Sequence, residues 1–131
     1  MSKSLMWVLF VTFLFPFSVS AQSSEAMLEG PTWKLVSFGL TRMAVPKKAT
    51  IRFKNGTYSG HGGCNGVGGS YVVKGESLLL SAGFSTMMAC DALNLEHRYM
   101  EALSSVASYR VGERTLELYS QEKMVLRFQK Q

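Results

Sequence analysis

The sequence contains no block of about five or six like charges, although its formal net charge is +5. A nucleic-acid surface is therefore not predicted, because such surfaces concentrate Lys and Arg on one element. No internal repeat and no low-complexity segment is present, which excludes a solenoid. Glycines cluster over residues 60–69, but no Lys-Ser or Lys-Thr pair follows them, so a phosphate-binding P-loop is also excluded.

Only one long apolar run is present, over residues 5–17, and it is shorter than the roughly 20 residues that a membrane-spanning helix needs. Lys3 precedes this run, and small residues follow it at positions 19–21. We expect residues 1–21 to be a secretory signal peptide that is cut between Ala21 and Gln22. An uncleaved N-terminal anchor is the alternative. No cysteine lies near the cut, so no lipid anchor is expected.

Residues 22–131 are then predicted to form one small domain, whose net charge is lower by one because Lys3 is lost. The domain is expected in the periplasm, with secretion beyond the cell left open. After cleavage we expect no membrane anchor.

Turn signals recur about every ten residues from residue 31 onward, which is typical of an all-β sandwich or barrel. The clearest signal is Asn55-Gly56, because both residues tolerate the positive φ of a hairpin turn. The glycine run at 60–69 predicts tight turns, a bulge or close backbone packing. Further strands and hairpins are predicted over 32–38, 51–54, 57–60, 70–80, 107–119 and 124–128.

One segment breaks the β pattern. Apolar residues recur at helical spacing over residues 92–105, and Asp91 is placed to cap a helix there. We expect this to be the only helix of the mature chain, with Glu96 and Glu101 on its exposed face. The predicted fold is mainly β with one helix (α+β). It is a small curled antiparallel sheet of seven or eight strands, or a partly open β-barrel, with one packed α-helix.

At two further segments the sequence resembles a known family. Gly63-Cys64-Asn65 and the element from Thr86 to Cys90 follow each other in the order that is typical of the META domain family, which includes HslJ-like heat-shock proteins of the cell envelope. The resemblance covers nearly the whole mature chain. The motif residues are Gly63, Cys64, Asn65, Thr86, Met88 and Cys90. The family commonly has an arginine directly before the methionine that corresponds to Met88. This chain has Met87 at that position instead.

The resemblance implies a small, β-rich envelope domain without established enzyme chemistry. It implies a contribution to envelope stress tolerance or to tolerance of antibiotics such as novobiocin, through binding of a protein or a lipid. The alternative is a small periplasmic inhibitor, or a secretion or assembly module, that binds one protein partner. In either case the protein is expected to be a monomer that binds no nucleic acid.

The two cysteines, Cys64 and Cys90, are expected to form a disulfide, because an exported chain with two cysteines usually joins them. One alternative is a nucleophilic Cys64 activated by His61 or His97. Another is a copper or zinc site built from these histidines, the two cysteines and the Met87-Met88 pair. A disulfide would remove both thiolates, so we predict no catalytic residue, no metal and no cofactor.

Aromatic side chains suggest the remaining candidate site. A curled sheet that packs against a helix often leaves an opening that can hold an acyl chain or a peptide. Core packing is the default for strand aromatics, but we expect some of them to line such an apolar crevice. Its candidate residues are Phe38, Phe53, Tyr71 and Tyr109.

Overall fold

The computed structural model describes residues 9–14, 16, 23–81, 83–86, 90 and 93–131. The proposed cleavage site, Met87, Met88 and Asp91 lie outside this part of the chain. The helices are α1 (Ser24–Leu28) and α2 (Leu93–Ser104). The strands are β1 (Thr32–Ser37), β2 (Thr50–Lys54), β3 (Thr57–His61), β4 (Gly66–Lys74), β5 (Ser77–Leu80), β6 (Phe84–Ser85), β7 (Ser108–Val111), β8 (Thr115–Ser120) and β9 (Lys123–Lys130).

The strands form one antiparallel sheet in the order β3-β2-β1-β9-β8-β7-β5-β4-β6, and an additional pairing of β3 with β4 closes it into a ring. The ring is not a regular barrel. β5 and β7 are joined by one register pair, Ser77 with Ser108, and the register shifts within the β1–β9 and β8–β9 pairs. The predicted mainly-β α+β fold, a curled antiparallel sheet with a packed helix, is confirmed.

Strand alternation explains the core. Along β1, Trp33 and Leu35 point inward and are buried while Lys34 is exposed, and β2 buries Ile51 and Phe53 in the same way. Helix α2 adds Tyr99 and Leu103 to this core, and the Tyr99 and Phe128 rings are 6.2 Å apart. Removal of these apolar side chains from water is the main favourable term in folding. The core therefore lies inside the ring, with α2 against it.

Local predictions are confirmed where turn chemistry is strong. Asn55 and Gly56 have φ values of 50° and 79° and connect β2 to β3. The glycine-rich run over residues 60–69 behaves differently. Residues 60–61 end β3, only residues 62–65 form a loop, and β4 begins at Gly66. Gly69 lies where an added Cβ would be 2.8 Å from the Tyr58 ring. Tight turns, a bulge or close backbone packing were expected for this run. Close packing is found at Gly69, and a short loop over residues 62–65 connects β3 to β4.

Helix α1 was not predicted, so the expectation of a single helix is wrong. The Ser23 hydroxyl caps α1 by accepting a hydrogen bond from the Ala26 N–H at 3.2 Å. The Trp33 indole N–H donates to the Leu28 carbonyl at 3.1 Å, and Leu28 is fully buried. A five-residue helix has too few positions to show periodicity, so tertiary contacts rather than pattern define it.

Helix α2 agrees with the predicted span within one residue at each end. The prediction that Glu96 faces solvent is wrong, because this side chain is 3% exposed. Glu101 is exposed as expected. No helix within the described residues is long and apolar enough to cross a bilayer.

Candidate functional site

The two family-like segments meet around Glu96. We call Cys64, Asn65, Thr86 and Glu96 the Glu96 cluster. The Glu96 carboxylate accepts hydrogen bonds from the Asn65 backbone N–H and side-chain amide, each at 2.6 Å, and from the Cys64 N–H at 3.2 Å. Thr86 donates its hydroxyl to the Asn65 side-chain oxygen at 3.0 Å. The cluster therefore connects the β3–β4 loop, the segment after β6 and helix α2.

The electrostatics of the cluster favour an ionised carboxylate. Burial opposes ionisation of Glu96, but hydrogen bonds from Asn65 and from the Cys64 backbone outweigh it, so the pKa lies below its ordinary value of 4.5. His61 acts in the same direction. A carboxylate with a lowered pKa that already accepts several N–H groups is suited to holding a loop, and it is poorly suited to proton transfer.

Gly62 and Gly63 allow the loop to approach this carboxylate. A Cβ on Gly62 would overlap the Glu96 side chain. Gly63 has a φ of 113°, and its N–H donates to His61 Nδ1 at 3.0 Å. The loop closes with a 2.8 Å hydrogen bond from the Gly62 N–H to the Asn65 carbonyl. Close approach to Glu96 thus explains Gly62, and backbone conformation explains Gly63.

Cys64 and Cys90 form the predicted disulfide, with their Cα atoms 6.2 Å apart. The bond joins the β3–β4 loop to the segment that precedes α2. Disulfides persist in oxidising compartments such as the periplasm, and the bond indicates such a compartment. The oxidised sulfur of Cys64 offers no thiolate for nucleophilic attack or for metal binding. Within the described ranges, no group of three or more His, Cys, Asp or Glu side chains is arranged to hold a metal ion.

The four predicted crevice residues lie in different places. Phe53 and Tyr71 pack edge to face in the core, with ring centroids 5.1 Å apart. The Tyr71 hydroxyl donates to Glu29. Burial and this hydrogen bond raise the pKa of Tyr71 to about 12. Tyr109 is buried and borders a separate cavity of about 310 Å³, whereas Phe38 lies elsewhere, at a larger cleft.

This larger cleft has a volume of about 850 Å³ and lies between α2, the segment after β1 and the β8–β9 turn. We call it the Phe38 cleft. Leu40 lines the cleft and 85% of its surface is exposed to solvent, whereas Phe38, which also lines it, is buried. Arg98 and Lys123 at the cleft are balanced by Glu101 and Glu122. The apolar lining residues are Phe38, Leu40, Ala102, Met124 and Val125.

Hydrogen bonds hold the wall of the Phe38 cleft that follows β1. The Gly39 N–H donates to the Val125 carbonyl at 2.9 Å, and the Thr41 hydroxyl donates to the Phe38 carbonyl at 2.7 Å. Gly39 has a φ of 57°, and an added Cβ would be 2.8 Å from the Met124 carbonyl oxygen. Sequence reasoning identified Phe38 but missed the rest of this cleft, because its walls are distant in sequence. The one sequence signal for this cleft was an apolar residue, Leu40, next to Gly39 in a predicted loop.

The fold and the cluster define a small ring-like β domain joined by one disulfide. The META domain family model matches residues 26–131, and the chain belongs to that family. The family resemblance inferred from the motif residues is therefore confirmed. No curated protein matches the sequence.

Solved structures give the same fold. A DUF4847 family protein from Bacteroides vulgatus has 18% identity and a TM-score of 0.65, over 80% of this chain and 95% of that chain. A protein from Burkholderia xenovorans has 25% identity and a TM-score of 0.69, over 87% and 93%. A third structure, solved by NMR, has 20% identity and a TM-score of 0.62, over 83% and 95%.

Proposed function

We propose that this chain is an exported, non-enzymatic META-domain protein that binds an apolar ligand, either a lipid acyl chain or an apolar protein segment. Through this binding it contributes to tolerance of envelope stress and of novobiocin-type antibiotics. The observation that carries the proposal is the Phe38 cleft with the exposed Leu40 beside it.

The shape and the lining of the Phe38 cleft support apolar binding. Small-molecule sites commonly have volumes of about 300–1,000 Å³ and mostly apolar walls. A bound chain would remove Leu40 from water, and buried apolar area is favourable by about 25 cal/mol per Å². Two cations and two anions around the apolar lining favour a ligand without large net charge. An acyl chain or an apolar peptide segment meets these conditions.

Export is supported by the N-terminal sequence pattern and by the disulfide. The apolar run behind Lys3 has the features of a signal peptide. Its described residues Leu9, Phe10 and Leu14 are exposed and take no part in the core. An oxidising compartment such as the periplasm is also where the bond between Cys64 and Cys90 would persist.

A binding role without catalysis is supported by the chemistry of the Glu96 cluster. Cys64 is bound to Cys90, and the Glu96 carboxylate is occupied by N–H donors from the β3–β4 loop. Neither residue therefore offers a group that can attack or transfer a proton to a substrate.

The proposal is tested by complementation of a deletion strain under heat and novobiocin. We expect the wild-type gene to restore tolerance and the Leu40→Ser variant to fail. Leu79→Ser is the matched control, because Leu79 is also an exposed leucine, at 60%, but lies on β5 away from the cleft. Wild-type tolerance of the deletion strain itself would contradict the stress role. Full rescue by Leu40→Ser would contradict the role of the cleft.

A second function is favoured by a different observation. Val72 and Leu79 are a cross-strand pair on β4 and β5, and they are 54% and 60% exposed. Such a pair would suit a protein partner of an inhibitor or assembly module. The same two variants separate the two functions, since this one predicts loss with Leu79→Ser and rescue with Leu40→Ser. Cross-linking in cells should then recover a partner with the wild type and lose it with Leu79→Ser.

A further inference from the structure

The charges of this protein are divided along the chain. All nine acidic residues lie outside residues 30–75. Within that span the charged residues are all cations: Lys34, Arg42, Lys47, Lys48, Arg52, Lys54 and Lys74. Strands β1, β2 and β3 lie within this span. The charged side chains on their outer surface are therefore all positive.

The strand register brings three of these cations together. Thr32 is opposite Arg52 and Lys34 is opposite Thr50, so Lys34 and Arg52 are diagonal neighbours on one face of the β1–β2 pair. Lys54 follows two residues after Arg52 and therefore shares that face. All three side chains are exposed, whereas the residues between them point into the core. We call Lys34, Arg52 and Lys54 the cationic face.

Within the part of the chain that the structure describes, no carboxylate forms an ion pair with the cationic face. The one ion pair among the described residues joins Arg127 to Glu117, on β9 and β8. On the β3 side the outward residues opposite Arg52 and Lys54 are Ser59 and Thr57, which are neutral. Like charges on neighbouring strands repel one another. Contact with a negatively charged partner would relieve this repulsion.

We propose that the cationic face docks on the anionic, phosphate-bearing surface of a membrane. The three outward side chains lie on adjacent antiparallel strands, and such a sheet face suits a broad surface. The Arg52 guanidinium can hold a headgroup phosphate with two hydrogen bonds, and the lysines act as point charges. The Cys64–Cys90 disulfide favours lipid over nucleic acid as the polyanion, because it indicates an oxidising compartment. This contact is separate from the Phe38 cleft.

Cosedimentation with lipid vesicles tests the proposal. The vesicles are phosphatidylcholine with or without phosphatidylglycerol, at an ionic strength of about 0.15 M. The folded domain should bind the anionic vesicles and not the neutral ones. The Lys34→Gln, Arg52→Gln double variant should bind the anionic vesicles about 30-fold more weakly than the wild type. Each lost cation should lower the affinity roughly fivefold, and the two effects multiply.

The matched control is the Lys74→Gln, Arg114→Gln double variant. It removes the same charge and the same residue types from exposed positions in two other hairpins, each close in sequence to a glutamate. We expect its affinity for anionic vesicles to fall by less than about threefold. These two cations lie outside the cationic face, so their loss would weaken only the long-range electrostatic attraction. Equal melting temperatures for both variants would show that the fold is intact. The Leu40→Ser variant should bind vesicles as the wild type does, which separates this inference from the proposed function.

Three results would overturn the inference. Equal loss in the two double variants would mean that only net charge matters. Equal binding to neutral vesicles would mean that the contact is not electrostatic. Binding to a short DNA duplex, without binding to anionic vesicles, would assign the cationic face to nucleic acid.

Discussion

Glu96 in α2 accepts two hydrogen bonds from Asn65, one from its backbone and one from its side chain, across 31 positions of sequence and each at 2.6 Å. This pair ties the glycine-rich loop to the helix. The second segment of the family motif joins the same network through Asn65, because the Thr86 hydroxyl donates to the Asn65 side-chain oxygen. Within this chain the arrangement holds the loop against α2, and the Phe38 cleft lies elsewhere.

Asn65→Ala should destabilise the fold by about 1–3 kcal/mol, because it leaves the buried Glu96 carboxylate without one of its donors. Chemical denaturation of the wild type and the variant measures this loss. Glu101→Gln, on the exposed side of the same helix, is the control and should change the free energy of unfolding by no more than about 0.5 kcal/mol. An Asn65→Ala variant as stable as the control would contradict the account of the cluster.

Acidification should remove the contribution that the ionised Glu96 carboxylate makes to the free energy of unfolding. Its pKa in the folded state lies below the ordinary 4.5, so the unfolded chain takes up this proton first as the pH falls. The contribution is therefore complete above about pH 4.5 and is lost as the pH falls through the folded-state pKa. Unfolding free energies of the wild type and of Glu96→Gln, measured from neutral to acidic pH, should converge. A constant difference would argue against a lowered pKa.

Gly62→Ala should cost about 1–3 kcal/mol, because the new methyl group would overlap the Glu96 side chain. The cost should largely vanish in a Glu96→Ala background, where that side chain is absent, and a double-mutant cycle measures this coupling. Gly66→Ala is the control, since its Cβ would meet nothing closer than 3.9 Å. Equal costs of Gly62→Ala in the two backgrounds would mean that another contact requires the glycine.

Reduction of the Cys64–Cys90 bond should destabilise the domain by about 3.5 kcal/mol on the chain-entropy model, because the bond joins cysteines that are 26 positions apart. For a domain of this size the melting temperature should fall by roughly 15 °C or more. Thermal unfolding with and without reductant measures the change. The Cys64→Ser, Cys90→Ser double variant should melt like the reduced protein and should not respond to reductant.

The local features of the fold could be predicted from the sequence, because they depend on neighbouring residues. Asn55-Gly56 specifies its own turn, and the spacing of Tyr99 and Leu103 marks the inner face of α2. The burial of Glu96 could not be predicted from its neighbours in sequence. A charged residue on a helix is normally exposed. Its burial depends on N–H groups of Cys64 and Asn65, which are remote in sequence.

The candidate binding site was predicted less well, for a related reason. Aromatic strand residues such as Phe53 and Tyr71 can serve a core or a crevice, and their alternation is the same in both cases. Only the closure of the ring decides which of them remain accessible. The Phe38 cleft depends on where the β8–β9 turn comes to lie beside α2, and single-sequence patterns carry no such distance information.

The most direct test of the binding account is native mass spectrometry of the protein purified from the periplasm, for the wild type, Leu40→Ser and Leu79→Ser. The account predicts an additional mass on the wild type and on Leu79→Ser that disappears on denaturation and is absent from Leu40→Ser. The denatured proteins should begin at Gln22 and be lighter by two hydrogens, as cleavage and a disulfide require. A bare native mass for all three proteins, or the same additional mass on Leu40→Ser, would contradict ligand binding in the Phe38 cleft.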